Sequence, residues 1–169
     1  MMIERVGRLT YEQWVELEAG EHDPFGVEHD PTVWREKLHH VTLRDTDGRL
    51  VASVGLVAAQ VEAGGEAFVV AGVGSVIVTR SERGHGRLRP VLEDALAWAA
   101  TLGPERAMLW CMQPNVALYE HFGFASITAP VVVDQPDGAR ELPFDAMWRP
   151  LQAGVTWPEG DVRVLGLPF

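Results

Sequence analysis

The sequence contains a single cysteine, Cys111, and a single lysine, Lys37. One cysteine excludes an internal disulfide framework, which favours a cytoplasmic protein. No apolar run approaches the roughly 18–20 residues that a membrane-spanning helix needs, and the first residues lack the hydrophobic core of a signal peptide. Because the 14 lysine and arginine residues include only one lysine, we interpret its scarcity as codon usage more than chemistry.

Positive charge is scarce as well, because 24 acidic residues give the chain a net charge of -10. Binding to phosphate backbones requires a surplus of Lys and Arg, so we expect neither a nucleic-acid partner nor a membrane partner. An acidic surface attracts amines, which is compatible with a cationic small-molecule substrate. The alternative is that the acidity serves only solubility. The oligomeric state stays open, with a homodimer as one alternative.

The chain of 169 residues is 47% hydrophobic and has no low-complexity tract, which indicates one globular domain with a real core. We expect residues 1–150 to form this domain and residues 151–169 to form an irregular tail that packs on it. Pro158 and Pro168 are the reason for predicting an irregular tail.

Hydrophobic periodicity predicts an α+β fold. Helices are predicted over Tyr11–Ala19, from Pro31 through Leu38, from Leu88 to Ala99 and over Asn115–His121. Strands are predicted over Met2–Leu9, His40–Arg44, Leu50–Val61, Ala67–Thr79, Ala107–Met112, Ser126–Val133 and Leu142–Trp148. Gly72 and Gly74 interrupt the fourth of these strands, which indicates a bulge or a close approach of another part of the chain.

A basic turn with two glycines, Gly84 and Gly86, joins that strand to the helix that begins at Leu88. A helix start presents unpaired N–H groups at the positive end of the helix dipole, and glycine lets an oxyanion approach the backbone. The turn is therefore a candidate phosphate cradle. It lacks the lysine of a P-loop and the third glycine of a Rossmann turn. An ordinary tight turn is the alternative.

The stretch Asn115–Phe124, NVALYEHFGF, combines a short helix with an aromatic-Gly-aromatic end. Together with the glycine turn, it resembles the GNAT superfamily of acyl-CoA-dependent N-acetyltransferases. Arg83 and Gly86 match the first two fixed positions of that family's phosphate motif, whereas Leu88 stands where a small residue is usual. In the later helix Tyr119 matches the family pattern, and Asn115 stands where alanine is usual.

The resemblance implies a mixed, mostly antiparallel sheet of about six or seven strands, with helices on both faces and one parallel crossover. It also implies that acetyl-CoA enters between two diverging strands, those that end near Thr79 and Met112. No metal is implied. The residues that the resemblance assigns to acetyl-CoA are Val76, Ile77, Val78, Arg83, Gly84, His85, Gly86, Arg87, Leu88 and Asn115.

Catalysis by such a fold requires an acid, because acetyl transfer to an amine leaves a CoA thiolate. A phenol can protonate this thiolate, and Tyr119 occupies the family's general-acid position. The base stays open, since no carboxylate lies near Ser75, which could only order a water molecule. Cys111 is a weaker candidate for a nucleophile, because a lone thiol in an apolar strand is usually a packing residue. The histidines have no spacing that would bind a metal.

The loop between the first two predicted helices is acidic, and the tail contains further acidic residues. A late W-x-x-G-D-V stretch, Trp157–Val162, is faintly similar to aminoglycoside 2'-N-acetyltransferases. On that similarity Glu28 and Asp161 would bind ammonium groups of the substrate. The alternative is a solvated loop and a tail that covers a sheet edge.

The sequence therefore predicts an enzyme that moves an acetyl group from acetyl-CoA to a primary amine of a small, cationic molecule by direct attack in a ternary complex. Two alternatives stay open. One is a non-catalytic module that binds acyl-CoA, and the other is an acetyltransferase that modifies aminoglycoside-type antibiotics. The presence of Tyr119 favours catalysis, because a binding module could dispense with it.

Overall fold

The structure of the protein, a computed structural model that describes all of residues 1–169, has ten strands in one sheet and three α-helices. The helices are α1 (Tyr11–Glu18), α2 (Leu88–Thr101) and α3 (Val116–Glu120). The strands are β1 (Met2–Val6), β2 (His39–Arg44), β3 (Leu50–Ala63), β4 (Glu66–Val78), β5 (Arg106–Cys111), β6 (Ala125–Ser126), β7 (Val131–Val133), β8 (Arg140–Glu141), β9 (Asp145–Pro150) and β10 (Val162–Leu165). The predicted α+β class is confirmed.

The sheet is ordered β6-β9-β5-β4-β3-β10-β7-β8, with β1 and β2 attached beside the first half of β3. Most pairs are antiparallel, and β4 and β5 form the predicted parallel crossover through α2. A second parallel pair, β7 with β10, was not predicted. The sheet also has more strands than the six or seven predicted, because strands of two or three residues leave too short a pattern to recognise.

Helices pack on both faces of the sheet, as predicted. Strand β2 contacts a helix on each face. Its residues alternate between the faces, so the rings of His39 and His40 lie on opposite sides. His39 contacts Trp98 of α2 at 5.3 Å between ring centroids, and His40 contacts Trp14 of α1 at 6.0 Å. None of the three helices has the length and apolar character that crossing a bilayer requires.

The predicted helix from Pro31 through Leu38 is absent, so this prediction is wrong. The segment runs irregularly across the sheet, and its backbone groups bond to distant partners. Gln135 bonds both the N–H and the carbonyl of Val33, and Arg35 N donates to the Pro168 carbonyl at 2.6 Å. These long-range bonds replace the bonds of a helix, and the sequence pattern gave no sign of them.

The tail is irregular, as predicted, except for one strand that was not predicted. Strand β10 lies between β3 and β7, and Val162 and Val164 are fully buried there. The late strands also pair differently from a simple hairpin. The predicted strand Ser126–Val133 divides into β6 and β7, and β9 pairs with β5 along its whole length.

Candidate active site

Strands β4 and β5 separate halfway along their length, which opens a gap in the sheet. Their pairing runs only from Val70–Arg106 to Val73–Leu109. Just beyond it, β4 contains one residue more than β3 opposite it, a β-bulge at Ser75, whose φ is 49°. A left-handed serine costs on the order of 1–3 kcal/mol, so the bulge is strongly imposed by its surroundings. The predicted divergence of these strands is present.

A pocket of about 370 Å³ occupies this gap. Residues from both faces of β5 line it, because Leu109 and Cys111 belong to the core beneath α2, whereas Trp110 packs on the opposite face. The pocket therefore passes through the sheet. Four of the residues predicted from the sequence line it, namely Ser75, Val76, Asn115 and Tyr119.

The glycines of β4 are explained by close packing on the face opposite α2. An added Cβ on Gly72 would lie 2.5 Å from the Phe169 ring. A Cβ on Gly74 would lie 2.5 Å from Lys37 Cε and 2.9 Å from the main-chain carbon of Phe169. The close approach predicted at these glycines is confirmed, and it places Lys37 and Phe169 at the wall of the pocket.

We expect Gly74→Ala to lower the free energy of unfolding by about 1–3 kcal/mol, the usual cost of overpacking. The new methyl group would meet backbone atoms of Phe169, which cannot rotate away. Urea denaturation measures the loss. Gly7→Ala is the matched control, since the only atom near its Cβ would be the Leu38 carbonyl oxygen at 4.0 Å. Equal losses for the two variants would contradict the packing argument.

The glycine turn has the backbone form of an anion cradle. Gly84 and Gly86 have φ of 79° and 73°, and no atom lies within 4 Å of the position of a Cβ on either one. Helix α2 begins directly afterwards, and no side chain caps its first turn. The first amides of this fourteen-residue helix therefore have no side-chain cap, and an open glycine turn lies directly before them.

The arginines of the turn already have acidic partners. Arg83 donates to Glu21 at 2.5 and 3.0 Å and to the Val78 carbonyl at 3.0 Å. Arg87 donates to Glu82 at 2.6 Å. The backbone amides are consequently the main unsatisfied donors of the cradle. Leu88, the departure from the family motif, packs against the core beneath α2, and His85 is exposed.

Tyr119 is nearly buried on α3, at 7% exposure, and packs edge-to-face against Phe124. Burial raises the pKa of its phenol, with the nearby Cys111 as a second cause, so the hydroxyl stays protonated at neutral pH. Burial also raises the pKa of the Cys111 thiol to about 11, with a further contribution from Asp145. Both groups therefore enter any reaction in their neutral forms.

The carboxylates that the sequence predicted to bind substrate are not brought to the pocket. Glu28 accepts a hydrogen bond from His22 at 2.9 Å, whereas its neighbours Phe25 and Val27 line the pocket. Asp161 lies beside Gly64, at the far end of β4 from the bulge. That is about 30 Å away along the strand. Neither of these two carboxylates lines the pocket between β4 and β5.

Sequence reasoning missed Lys37, which has the only charged side chain among the 17 residues that line the pocket. Its side chain is 7% exposed, and its ammonium donates to the Arg35 carbonyl at 3.0 Å. Burial, followed by the charge of Arg35, lowers the pKa of Lys37 to about 8. The available signal was that Lys37 is the only lysine of the chain, which the sequence analysis attributed to codon usage.

Comparison with known proteins agrees with this arrangement. The family model described as an acetyltransferase (GNAT) domain matches residues 8–127. The chain belongs to the GNAT acetyltransferase family. Its members are acyl-CoA N-acyltransferases, so the predicted enzyme class is confirmed. The search of curated proteins finds no match.

Solved structures share the GNAT fold at low sequence identity. The GNAT family N-acetyltransferase YhbS from Escherichia coli, solved in complex with CoA, is 18% identical with a TM-score of 0.64, covering 97% of this chain and 88% of its own. A GNAT-family acetyltransferase from Staphylococcus aureus is 13% identical with a TM-score of 0.57, covering 89% and 100%. Escherichia coli ElaA is 19% identical with a TM-score of 0.55, covering 88% and 99%.

Proposed function

We propose that this GNAT protein transfers an acetyl group from acetyl-CoA to a primary amine of a small molecule by direct attack in a ternary complex. The observation that carries the proposal is the pocket through the sheet. It connects the face of α2 and α3 with the opposite face at the point where β4 and β5 separate. Two reactants that enter from opposite faces can meet there without a covalent enzyme intermediate.

The residues present fit acetyl-CoA. The open glycine turn and the uncapped start of α2 fit a diphosphate. The bulged end of β4, Val76 to Val78, fits a pantetheine arm through its backbone, since the Ile77 side chain is buried against Leu17 and Leu50. Arg83 already occupies the Val78 carbonyl, which leaves Val76 as the better candidate for that contact. When bound, acetyl-CoA supplies an activated thioester.

In the proposed reaction the amine nitrogen attacks the thioester carbonyl carbon and the carbon–sulfur bond breaks. Tyr119 donates its phenolic proton to the departing sulfur. The amine nitrogen loses one proton to water, and the Tyr119 phenolate regains one proton from water. Tyr119 lines the pocket, and burial keeps its phenol protonated, so a proton is available there. Ser75 lines the pocket and remains the candidate for ordering a water molecule near the amine.

Direct attack predicts that Cys111 is dispensable. The raised pKa of its thiol disfavours the thiolate that a nucleophile needs. We expect Cys111→Ala to keep turnover within about threefold, because losing a buried sulfur changes packing more than chemistry. Steady-state kinetics with both substrates varied should give intersecting lines for the native enzyme. An acetyl adduct on Cys111 in intact-mass spectra would contradict direct attack.

The sequence also predicted a cationic acceptor. The net charge of -10 still supports that prediction, but Glu28 and Asp161, on which it mainly depended, lie outside the pocket. We therefore propose only that the acceptor has a primary amine. The residues that line the pocket determine which other groups of the acceptor can bind.

A screen of primary amines for thiol release from acetyl-CoA tests the function. The panel contains monoamines, polyamines, amino acids and aminoglycosides, with mass spectrometry of each product. Acetylated product from one amine class supports the proposal. Acetyl-CoA affinity without thiol release from any amine would indicate the non-catalytic binding module instead. Acetylation restricted to aminoglycosides would indicate the antibiotic-modifying alternative.

A further inference from the structure

Aromatic rings line the pocket on the face of the sheet that Phe169 covers. Trp34, Trp110 and Phe144 are each partly buried there, and all three pack against the hydrophobic core of that face. We propose that these three rings bind an apolar body of the acceptor, so that the enzyme acetylates primary amines that carry one aromatic ring or a branched hydrocarbon group. This inference rests on the proposed acetyl transfer and names its substrate class.

The three rings come from segments that are distant in the chain and meet only in the folded protein. Trp34 lies on the irregular segment before β2, Trp110 on β5 and Phe144 directly before β9. The rings of Trp34 and Phe144 contact each other at 5.5 Å between their centroids. The pairing of Cys111 with Asp145 places Phe144 beside the end of β5 that borders the gap between β4 and β5.

Trp34 is held in place by its neighbours in the chain. Gln135 bonds both backbone groups of Val33, and the N–H of Arg35 donates to a carbonyl of the tail. The ammonium of Lys37 lies 5.9 Å from the centroid of the Trp34 ring and also donates to the Arg35 carbonyl. Lys37 therefore supports the ring from within the chain, and an apolar body can bind without any contact to its charge.

The exposed parts of these rings distinguish them from the aromatic residues of the core. Phe122 and Phe124, which pack in the core beneath α2, are only 8% and 3% exposed. The three rings on the other face keep more of their surface accessible, and they do so at the pocket. Pockets for small ligands are typically lined by aromatic and apolar side chains of this kind. Covering the rings with an apolar body removes such surface from water on both molecules.

The size and lining of the pocket favour a small, uncharged body. A volume of about 370 Å³ is near the lower end of the roughly 300–1,000 Å³ that small-ligand sites occupy, and the thioester shares that space. Aromatic rings can also attract a cation, but a cation would have to lose hydration there. No Asp or Glu side chain lines the pocket to offset that cost. We therefore expect the body of the acceptor to be neutral.

The first test compares amines that differ only in their body, with concentrations expressed as the unprotonated amine. Relative to ethylamine, we expect kcat/KM to be about 10-fold to 100-fold higher for phenethylamine and isoamylamine, the range that corresponds to burying one large apolar side chain. We also expect 3,3-dimethylbutylamine to exceed (2-aminoethyl)trimethylammonium, which has the same shape and a permanent positive charge. A preference for the charged member would indicate a cation site and would overturn the inference.

The second test removes one ring. Phe144→Ala should lower kcat/KM for phenethylamine by about threefold to tenfold, the range of one aromatic contact, with a smaller loss for ethylamine. Phe144→Leu should retain more of the preference, because it keeps an apolar side chain. Phe68→Ala is the matched control and should keep the native preference. Phe68 is a partly buried aromatic residue against the same core, but it packs against Trp157, outside this pocket.

The outcomes separate the substrate class from the reaction. Acetyl-CoA affinity by calorimetry verifies that each variant is folded. A Phe144→Ala variant that loses stability but keeps the native ratio of phenethylamine to ethylamine would show that this ring serves only the core, and an equal change of that ratio in Phe68→Ala would show a general packing effect. Either result would overturn the inference. Equal thiol release from small and large amines would refute only the substrate class, whereas no thiol release from any amine would refute the proposed function itself.

Discussion

Tyr119→Phe should lower turnover by about 10²-fold or more, the usual contribution of a general acid. The substitution removes one hydroxyl and keeps the ring that packs against Phe124, so acetyl-CoA affinity and the unfolding midpoint should change little. Stopped assays of thiol release measure turnover, and calorimetry measures affinity. This pattern would place the loss in the chemical step and not in binding.

The chain offers a matched control for this substitution. Tyr11, the only other tyrosine, is 80% exposed on α1, and Tyr11→Phe should leave every parameter unchanged. Equal turnover for Tyr119→Phe and the native enzyme at all pH values would remove Tyr119 as the acid. Its buried phenol would then be a packing feature of α3.

Gly86→Glu should raise the dissociation constant for acetyl-CoA by about 10²-fold or more, because like charges in contact cost several kcal/mol and each 1.4 kcal/mol is tenfold. The new side chain would project into the open space of the cradle, where nothing lies within 4 Å of its Cβ. Calorimetric titration with acetyl-CoA gives the measurement.

The substitution also strains the backbone, since Gly86 has a φ of 73°, and the control must share that strain. Gly48→Glu does so, because Gly48 has a φ of 82°, an equally open Cβ position and a place in the β2–β3 turn. Comparable stability losses with affinity lost only in Gly86→Glu would support the cradle. Unchanged affinity in Gly86→Glu would show that the diphosphate binds elsewhere.

The elements that the sequence predicted well are those that local chemistry determines. The start of α1 is one of them: Thr10 and Gln13 form a reciprocal capping box, with bonds of 3.3 and 2.8 Å. The glycine turn before α2 is another, because positive φ and an uncapped helix start follow from residues adjacent in the chain. Hydrophobic periodicity alone located α2 at its observed first residue, Leu88.

The predictions that failed concern segments whose structure depends on distant partners. The segment 31–38 has helical caps in its sequence, yet Gln135 and Pro168 bond its backbone from the other end of the chain. Strand β10 forms because β3 and β7 offer unpaired edges to the tail. Lys37 belongs to the same irregular segment. Because distant partners determine the path of this segment, no local sequence pattern could predict that Lys37 lines the pocket.

Splitting a sheet between β4 and β5 has a kinetic consequence for a two-substrate enzyme. If the thioester binds on the α2 face of the sheet and the amine on the Phe169 face, each reactant enters the pocket through a separate opening. Neither has to depart before the other can exchange with solvent. Such an enzyme needs no fixed order of substrate binding. Its rate then depends on the concentration of each reactant separately.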